Sequence, residues 1–212
     1  MRTFTLLAVL AACASSTPQQ RGSRGPRASD HLVAAEGHTI NAEQLSRWPD
    51  RHVAGPEAPV GTTSWNRSWD TVGAELRQAK QHRTAAAQLV AEYDEACGQR
   101  PHAAVSVSPL ERYAVGGAPT DRGVMLFLSV EAGSADALMA ELRCHRAWMM
   151  LGRTDMDSCP LDLAGLRVDA RGDASGITVE ISVADRALVP ELQRRAAHDL
   201  EAAAQRRAAL PH

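Results

Sequence analysis

Residues 166–183 read LRVDARGDASGITVEISV, and this stretch decides the fold class. Apolar and polar residues alternate over 166–170 and again over 177–183, which is the pattern of two strands that each bury one face. Residues 171–176 between them are rich in turn formers. The stretch therefore predicts an antiparallel hairpin with one face on a core and one in water.

A second pair of strands is predicted upstream. Residues 123–130, GVMLFLSV, are almost continuously apolar and predict a central strand buried on both faces. Valine and serine alternate over 105–108, which predicts a strand that ends in a bulge or an edge at Pro109. Residues 116–119, GGAP, predict a turn.

Three helices complete the pattern. Apolar residues at helical spacing predict helices over about 71–97, 134–151 and 187–208, and Ser134 is a suitable N-cap for the second. The resulting order, α-ββα-ββα, predicts an α+β domain with helices packed on one face of a four-stranded antiparallel sheet. The repeated ββα order also suggests an internal duplication.

Composition limits the classes of function. The chain has 212 residues and a net charge of −2, so it lacks the basic field that a nucleic-acid partner requires. Hydrophobic residues make up 44% but aromatic residues only 4%, which indicates a core of small side chains carried largely on helices. We assign one folded domain to residues 71–212.

The first 13 residues, MRTFTLLAVLAAC, have the pattern of an export signal. Arg2 is followed by an apolar run over 4–12, which is shorter than the ~20 residues that span a bilayer. Residues 10–13, LAAC, resemble the lipobox of bacterial lipoproteins. In that family the signal is cut before the cysteine, whose thiol carries acyl chains such as palmitate.

This resemblance implies that residues 1–12 are a signal peptide and that a lipid on Cys13 anchors the chain to a membrane of the cell envelope. The domain would then lie on the periplasmic face. In the family, Asp after the cysteine retains a lipoprotein at the inner membrane; Ala14 here favours the outer membrane where the organism has one.

Residues 13–70 are predicted to be the lipidated cysteine followed by a flexible, partly ordered tether. Ser, Gln, Gly, Pro and Arg dominate residues 14–30, which therefore cannot bury enough apolar surface to fold alone. Residues 31–47 have some helical character, and prolines interrupt the segment that follows.

The residues with most chemical potential lie in 142–160, LRCHRAWMMLGRTDMDSCP. Outside the cytoplasm, Cys, His and Met are the ligand types of copper. His145 and Met149 share a helix face, and Cys159 or Met156 would complete a mononuclear site. The alternative is that Met149 and His145 are core residues, since no recognised metal-binding spacing occurs here.

The cysteines support a competing interpretation. With Cys13 lipidated, an oxidising compartment predicts one disulfide among Cys97, Cys144 and Cys159, with one thiol left over. We weigh the pairs Cys144–Cys159 and Cys97–Cys159, and proximity in sequence favours the first. Either disulfide would consume a sulfur that the copper site needs.

Three functions follow, in order of preference. The first is a non-enzymatic binding or structural role, with another envelope protein, a cell-wall component or a small ligand as partner. The second is a copper-binding or redox-sensing lipoprotein that uses the segment from Cys144 to Cys159. The third is a hydrolase, for which the sequence contains no nucleophile or metalloprotease motif and no catalytic residue that we can assign.

Overall fold

The computed structural model describes residues 24–47, 65–98, 100–152 and 158–209. The predicted signal peptide and Cys13 therefore lie outside the described residues. The helices and strands of the described part follow one another in this order: α1 (Ala28–Arg47), α2 (Trp65–Cys97), α3 (His102–Val105), α4 (Pro109–Tyr113), β1 (Ala114–Thr120), β2 (Gly123–Leu128), α5 (Ala135–Met149), β3 (Leu166–Asp173), β4 (Gly176–Val183) and α6 (Val189–Ala209).

The predicted α+β class with a four-stranded antiparallel sheet is confirmed. The strand order is β1-β2-β4-β3, and every neighbouring pair is antiparallel. Alternate residues of β4 from Ile177 to Val183 are buried, and α5 and α6 supply the packing partners of the sheet. The prediction that β2 is buried on both faces is wrong, because Leu126 is fully buried while its neighbour Phe127 is 42% exposed.

The strand predicted over 105–108 is also wrong. Pro101 precedes α3, and Pro109 occupies the first turn of α4, where its fixed φ suits a helix start. The Ser108 side chain accepts a hydrogen bond from the Leu110 N–H and caps α4. The predicted turn at 116–119 instead lies in β1, an edge strand in which glycine and proline are tolerated.

The two ββα units have similar hairpins. Each hairpin closes with a two-residue turn that is followed by a glycine, Gly123 in the first and Gly176 in the second. A Cβ at Gly123 would overlap the carbonyl oxygen of Ile181, and a Cβ at Gly176 would overlap that of Leu128. The two contacts mirror one another because β2 and β4 pair antiparallel, with one glycine at the start of each strand.

The helices of the two units follow the same repeat. Among the buried residues of each helix, one series of four has the same spacing in both helices, and in each series the third residue is polar. The series are Leu138, Leu142, His145 and Met149 in α5, and Leu192, Ala196, Asp199 and Ala203 in α6. The repeat therefore carries one histidine and one aspartate into the interior.

Helices α1 and α2 form an antiparallel hairpin outside this unit. Small residues seven positions apart meet along its contact line, which we call the alanine seam: Ala28, Ala35 and Ala42 in α1, and Val72, Ala79 and Ala86 in α2. Helix α1 lies within the segment predicted to be a partly ordered tether, and its Ala28 N–H donates to the Met150 carbonyl beyond α5. Among the described helices, none is both long and apolar enough to cross a membrane.

Candidate functional site

A disulfide joins Cys97, at the end of α2, to Cys144 in α5. Both pairings predicted from the sequence are therefore wrong, although the prediction of one disulfide and one free thiol agrees with the free, buried Cys159. The reason is helical geometry. Adjacent helix residues point about 100° apart, so Cys144 faces α2 while His145 faces Cys159.

His145 and Cys159 form a buried imidazole–thiol pair. The His145 Nδ1 lies 2.7 Å from the Val105 carbonyl oxygen, which can only accept, so Nδ1 carries a proton. This leaves Nε2 to face the Cys159 Sγ at 3.6 Å. Burial lowers the pKa of His145 and raises that of Cys159, so both groups are held neutral.

Asp199 and Ser108 extend this pair into what we call the interior polar cluster: Ser108, His145, Cys159 and Asp199. The Ser108 side chain hydrogen-bonds to both Cys159 and Asp199. Burial, with a contribution from the charge of Glu111, raises the pKa of Asp199 to about 7. Within the described part of the chain, the Asp199 Oδ2 has no hydrogen-bond partner.

A buried arginine fixes the backbone around the thiol. Arg195 is only 2% exposed, and its Nε lies 2.6 Å from the Glu191 Oε1. Its Nη1 donates to the Cys159 carbonyl at 3.2 Å. Since the guanidinium reaches that carbonyl from α6, it holds the segment containing Cys159 against the helix that carries Asp199.

A pocket of about 260 Å³ lies beside the cluster, between α3, α4 and α5. Arg112 crosses it, with its Nη2 donating to the Ala104 carbonyl at 2.7 Å and its Nη1 3.6 Å from the Glu141 Oε2. His145 is the one residue that the pocket and the cluster share. The lining residues are Arg100, Ala104, Val105, Val107, Pro109, Arg112, Glu141 and His145.

The structure brings together two of the four candidate copper ligands. His145 and Cys159 meet, but as a hydrogen-bonded pair. Met149 is buried among core residues, and Met156 lies outside the described residues. No group of three or more His, Cys, Asp or Glu in the described ranges is placed to hold a metal ion.

Comparison with family models, curated proteins and solved structures finds no match for this chain. The pocket and the interior polar cluster are therefore the features from which a function can be inferred. Sequence reasoning missed both Asp199 and Arg112. The spacing that places His145 inside α5 recurs at Asp199 in α6, and this was the available signal for the first. The incorrect strand over 105–108 concealed the second.

Proposed function

We propose that the protein is a lipid-anchored envelope protein that binds an acidic ligand in the pocket between α3, α4 and α5. The observation that carries this proposal is the pair of guanidinium groups, from Arg100 and Arg112, on the wall of this pocket. Guanidinium groups match the geometry of carboxylates and phosphates. A volume of about 260 Å³ suits a small molecule or one acidic end of a larger one.

The chemistry beside the pocket favours binding over catalysis. Both nitrogens of His145 already have partners, the Val105 carbonyl and the Cys159 thiol. A catalytic thiol needs an accessible thiolate, whereas Cys159 is 2% exposed and its pKa is raised by burial. We therefore assign His145 to the floor of a binding pocket and Cys159 to its support.

The lipobox resemblance around Cys13 suggests the class of ligand. A domain tethered in the cell envelope lies beside peptides of the cell wall, which carry several free carboxylates. We therefore propose a carboxylate-bearing cell-wall peptide as the ligand. Glu141 partly neutralises Arg112, so the more exposed Arg100 makes the larger contribution to binding.

Calorimetry with muramyl dipeptide as the probe tests the pocket. We expect binding to the native protein and at least tenfold weaker binding to Arg100→Gln, because that change removes one guanidinium from the wall. The matched control is Arg171→Gln on β3, an exposed arginine outside the pocket, which should leave affinity unchanged. Absence of binding, or equal affinity for both variants, would refute the ligand assignment.

The anchor is tested separately by Cys13→Ser with membrane fractionation. We expect the native protein in the membrane fraction and the variant in the soluble fraction. Serine lacks the thiol that would carry acyl chains, and stable anchoring needs two or three such chains. A variant that stays with the membrane would overturn the anchoring proposal and leave the calorimetric result unaffected.

A further inference from the structure

Three histidines meet across the alanine seam, and we call them the histidine cluster: His31 and His38 in α1, and His82 in α2. The Nδ1 atoms of His31 and His82 are 2.9 Å apart. The rings of His38 and His82 stack with centroids 5.5 Å apart. On its other side the His38 Nδ1 lies 2.8 Å from the Glu75 Oε2.

This geometry limits the number of protons that the cluster holds. A contact between two ring nitrogens requires one to donate and the other to accept. When both His31 and His82 are imidazolium ions, each Nδ1 carries a proton and neither accepts. The 2.9 Å contact therefore exists only while at least one of the two rings is neutral.

The charged groups around His82 oppose a second proton. His31 and His38 face it from α1, and on its own helix Arg83 reaches across to α1 while Glu75 is paired with His38. The carboxylate in contact with these rings, that of Glu75, therefore pairs with His38 and not with His82. Desolvation, followed by the two neighbouring histidines, lowers the pKa of His82.

The alanine seam offers little to resist such repulsion. Each buried alanine contributes one methyl group, and burial of a group of that size is worth only about 0.8 kcal/mol. The larger apolar residues of α1 point away from the seam, since Leu32 is 55% and Val33 71% exposed. The packing of α1 on α2 is therefore weaker than the packing inside the ββαββα unit.

We propose that the histidine cluster is a pH-sensitive latch that holds α1 on α2 near neutral pH and releases it in mild acid. Because the folded hairpin disfavours the proton on His82, its packing is intact above the ordinary histidine pKa of about 6.5 and weakens as pH falls below it. Release of α1 would lengthen the connection between the domain and the anchor. That consequence depends on the proposed lipid on Cys13, whereas the latch does not.

Hydrogen exchange of the lipidated protein in detergent, with a chelator present, tests the latch. We expect the protection of amides in 28–47, corrected for intrinsic exchange rates, to fall at least tenfold between pH 7.5 and pH 5.0. Protection in β4 should change far less. The double variant His31→Gln, His82→Gln should abolish the pH dependence in α1, because glutamine hydrogen-bonds without titrating.

The matched control is His198→Gln on α6, whose side chain is 58% exposed and lies outside the cluster. This variant should retain the full pH dependence in α1. Equal protection of α1 at the two pH values would overturn the proposal. So would a pH dependence that survives in the double variant. Neither outcome bears on ligand binding in the pocket or on the anchor.

Discussion

The α1–α2 hairpin and the ββαββα unit are built on different principles. The unit closes a core around fully buried side chains such as Leu126 and Ile181, and a disulfide ties α2 to it. The hairpin meets along methyl groups and leaves Val33 71% exposed. The interior of the unit is therefore more tightly packed than the contact between α1 and α2, while the N-terminal end of α1 is itself held to the unit through the Ala28 N–H.

The two regions also respond to pH with opposite sign. The raised pKa of Asp199, about 7, means that the folded unit holds a proton that the unfolded chain releases near pH 4. Its stabilisation is complete below pH 4 and is lost as pH rises through 7. The lowered pKa of His82 has the reverse effect on the hairpin, whose packing weakens as pH falls. Mild acid therefore stabilises the folded unit, whereas under the proposed latch it weakens the packing of α1 on α2.

The largest expected effect comes from removal of the disulfide. The double variant Cys97→Ala, Cys144→Ala opens a loop with a sequence separation of 47, and loop-closure entropy predicts a loss of about 4 kcal/mol from the free energy of unfolding. Urea denaturation under oxidising conditions measures it. A reductant should destabilise the native protein by a similar amount.

The same reductant should have no effect on the double variant, and Cys159→Ala should keep the reductant sensitivity of the native protein. Sensitivity in the double variant would mean that Cys159 forms a disulfide in solution. The comparison between α2, which the disulfide ties to the unit, and α1, which this disulfide does not hold, would then need revision.

The second largest effect concerns the buried carboxyl group of Asp199. The free energy of unfolding of the native protein should fall by about 2–3 kcal/mol between pH 5 and pH 8, as this carboxyl group loses its proton. Asp199→Asn cannot titrate, so this fall should be absent from the variant. The variant should be the more stable protein at pH 8, where an uncompensated charge is no longer buried. Parallel pH profiles would contradict the raised pKa of Asp199.

These residues show how far sequence reasoning reached. The alternation of apolar and polar residues in 166–183 predicted β3 and β4, because a period of two residues is the pattern of a strand with one buried face. The Cys97–Cys144 pair was missed, since sequence distance does not report which side of α5 faces α2. Asp199 was missed because the stripe on α6 was centred on larger apolar residues, whereas the packing of the repeat placed an aspartate inside.

The third effect lies in the hairpin. Ala79 is fully buried in the alanine seam, so Ala79→Leu should force the helices apart at a cost of about 1–3 kcal/mol. Hydrogen exchange should localise the loss of protection to α1 and α2. The matched control is Ala87→Leu, an exposed position on α2, which should change stability by less than about 0.5 kcal/mol. Equal effects at the two positions would mean that the seam is not closely packed.

The smallest expected effect is that of the surface residue Glu111 on the pKa of the buried Asp199. Glu111 pairs with Arg206 near the surface, and such pairs contribute less than about 1 kcal/mol, so Glu111→Gln should hardly alter thermal stability. Its charge nevertheless helps to raise the pKa of Asp199. Titration of Asp199 by NMR should therefore show a lower pKa in Glu111→Gln than in the native protein.

Glu180→Gln on β4 is the matched control, because that exposed carboxylate is not among the groups that shift the pKa of Asp199. If the pKa of Asp199 is unchanged in Glu111→Gln, burial is the sole cause of its raised value. The charges on the surface of the unit would then have no effect on the protonation of its interior.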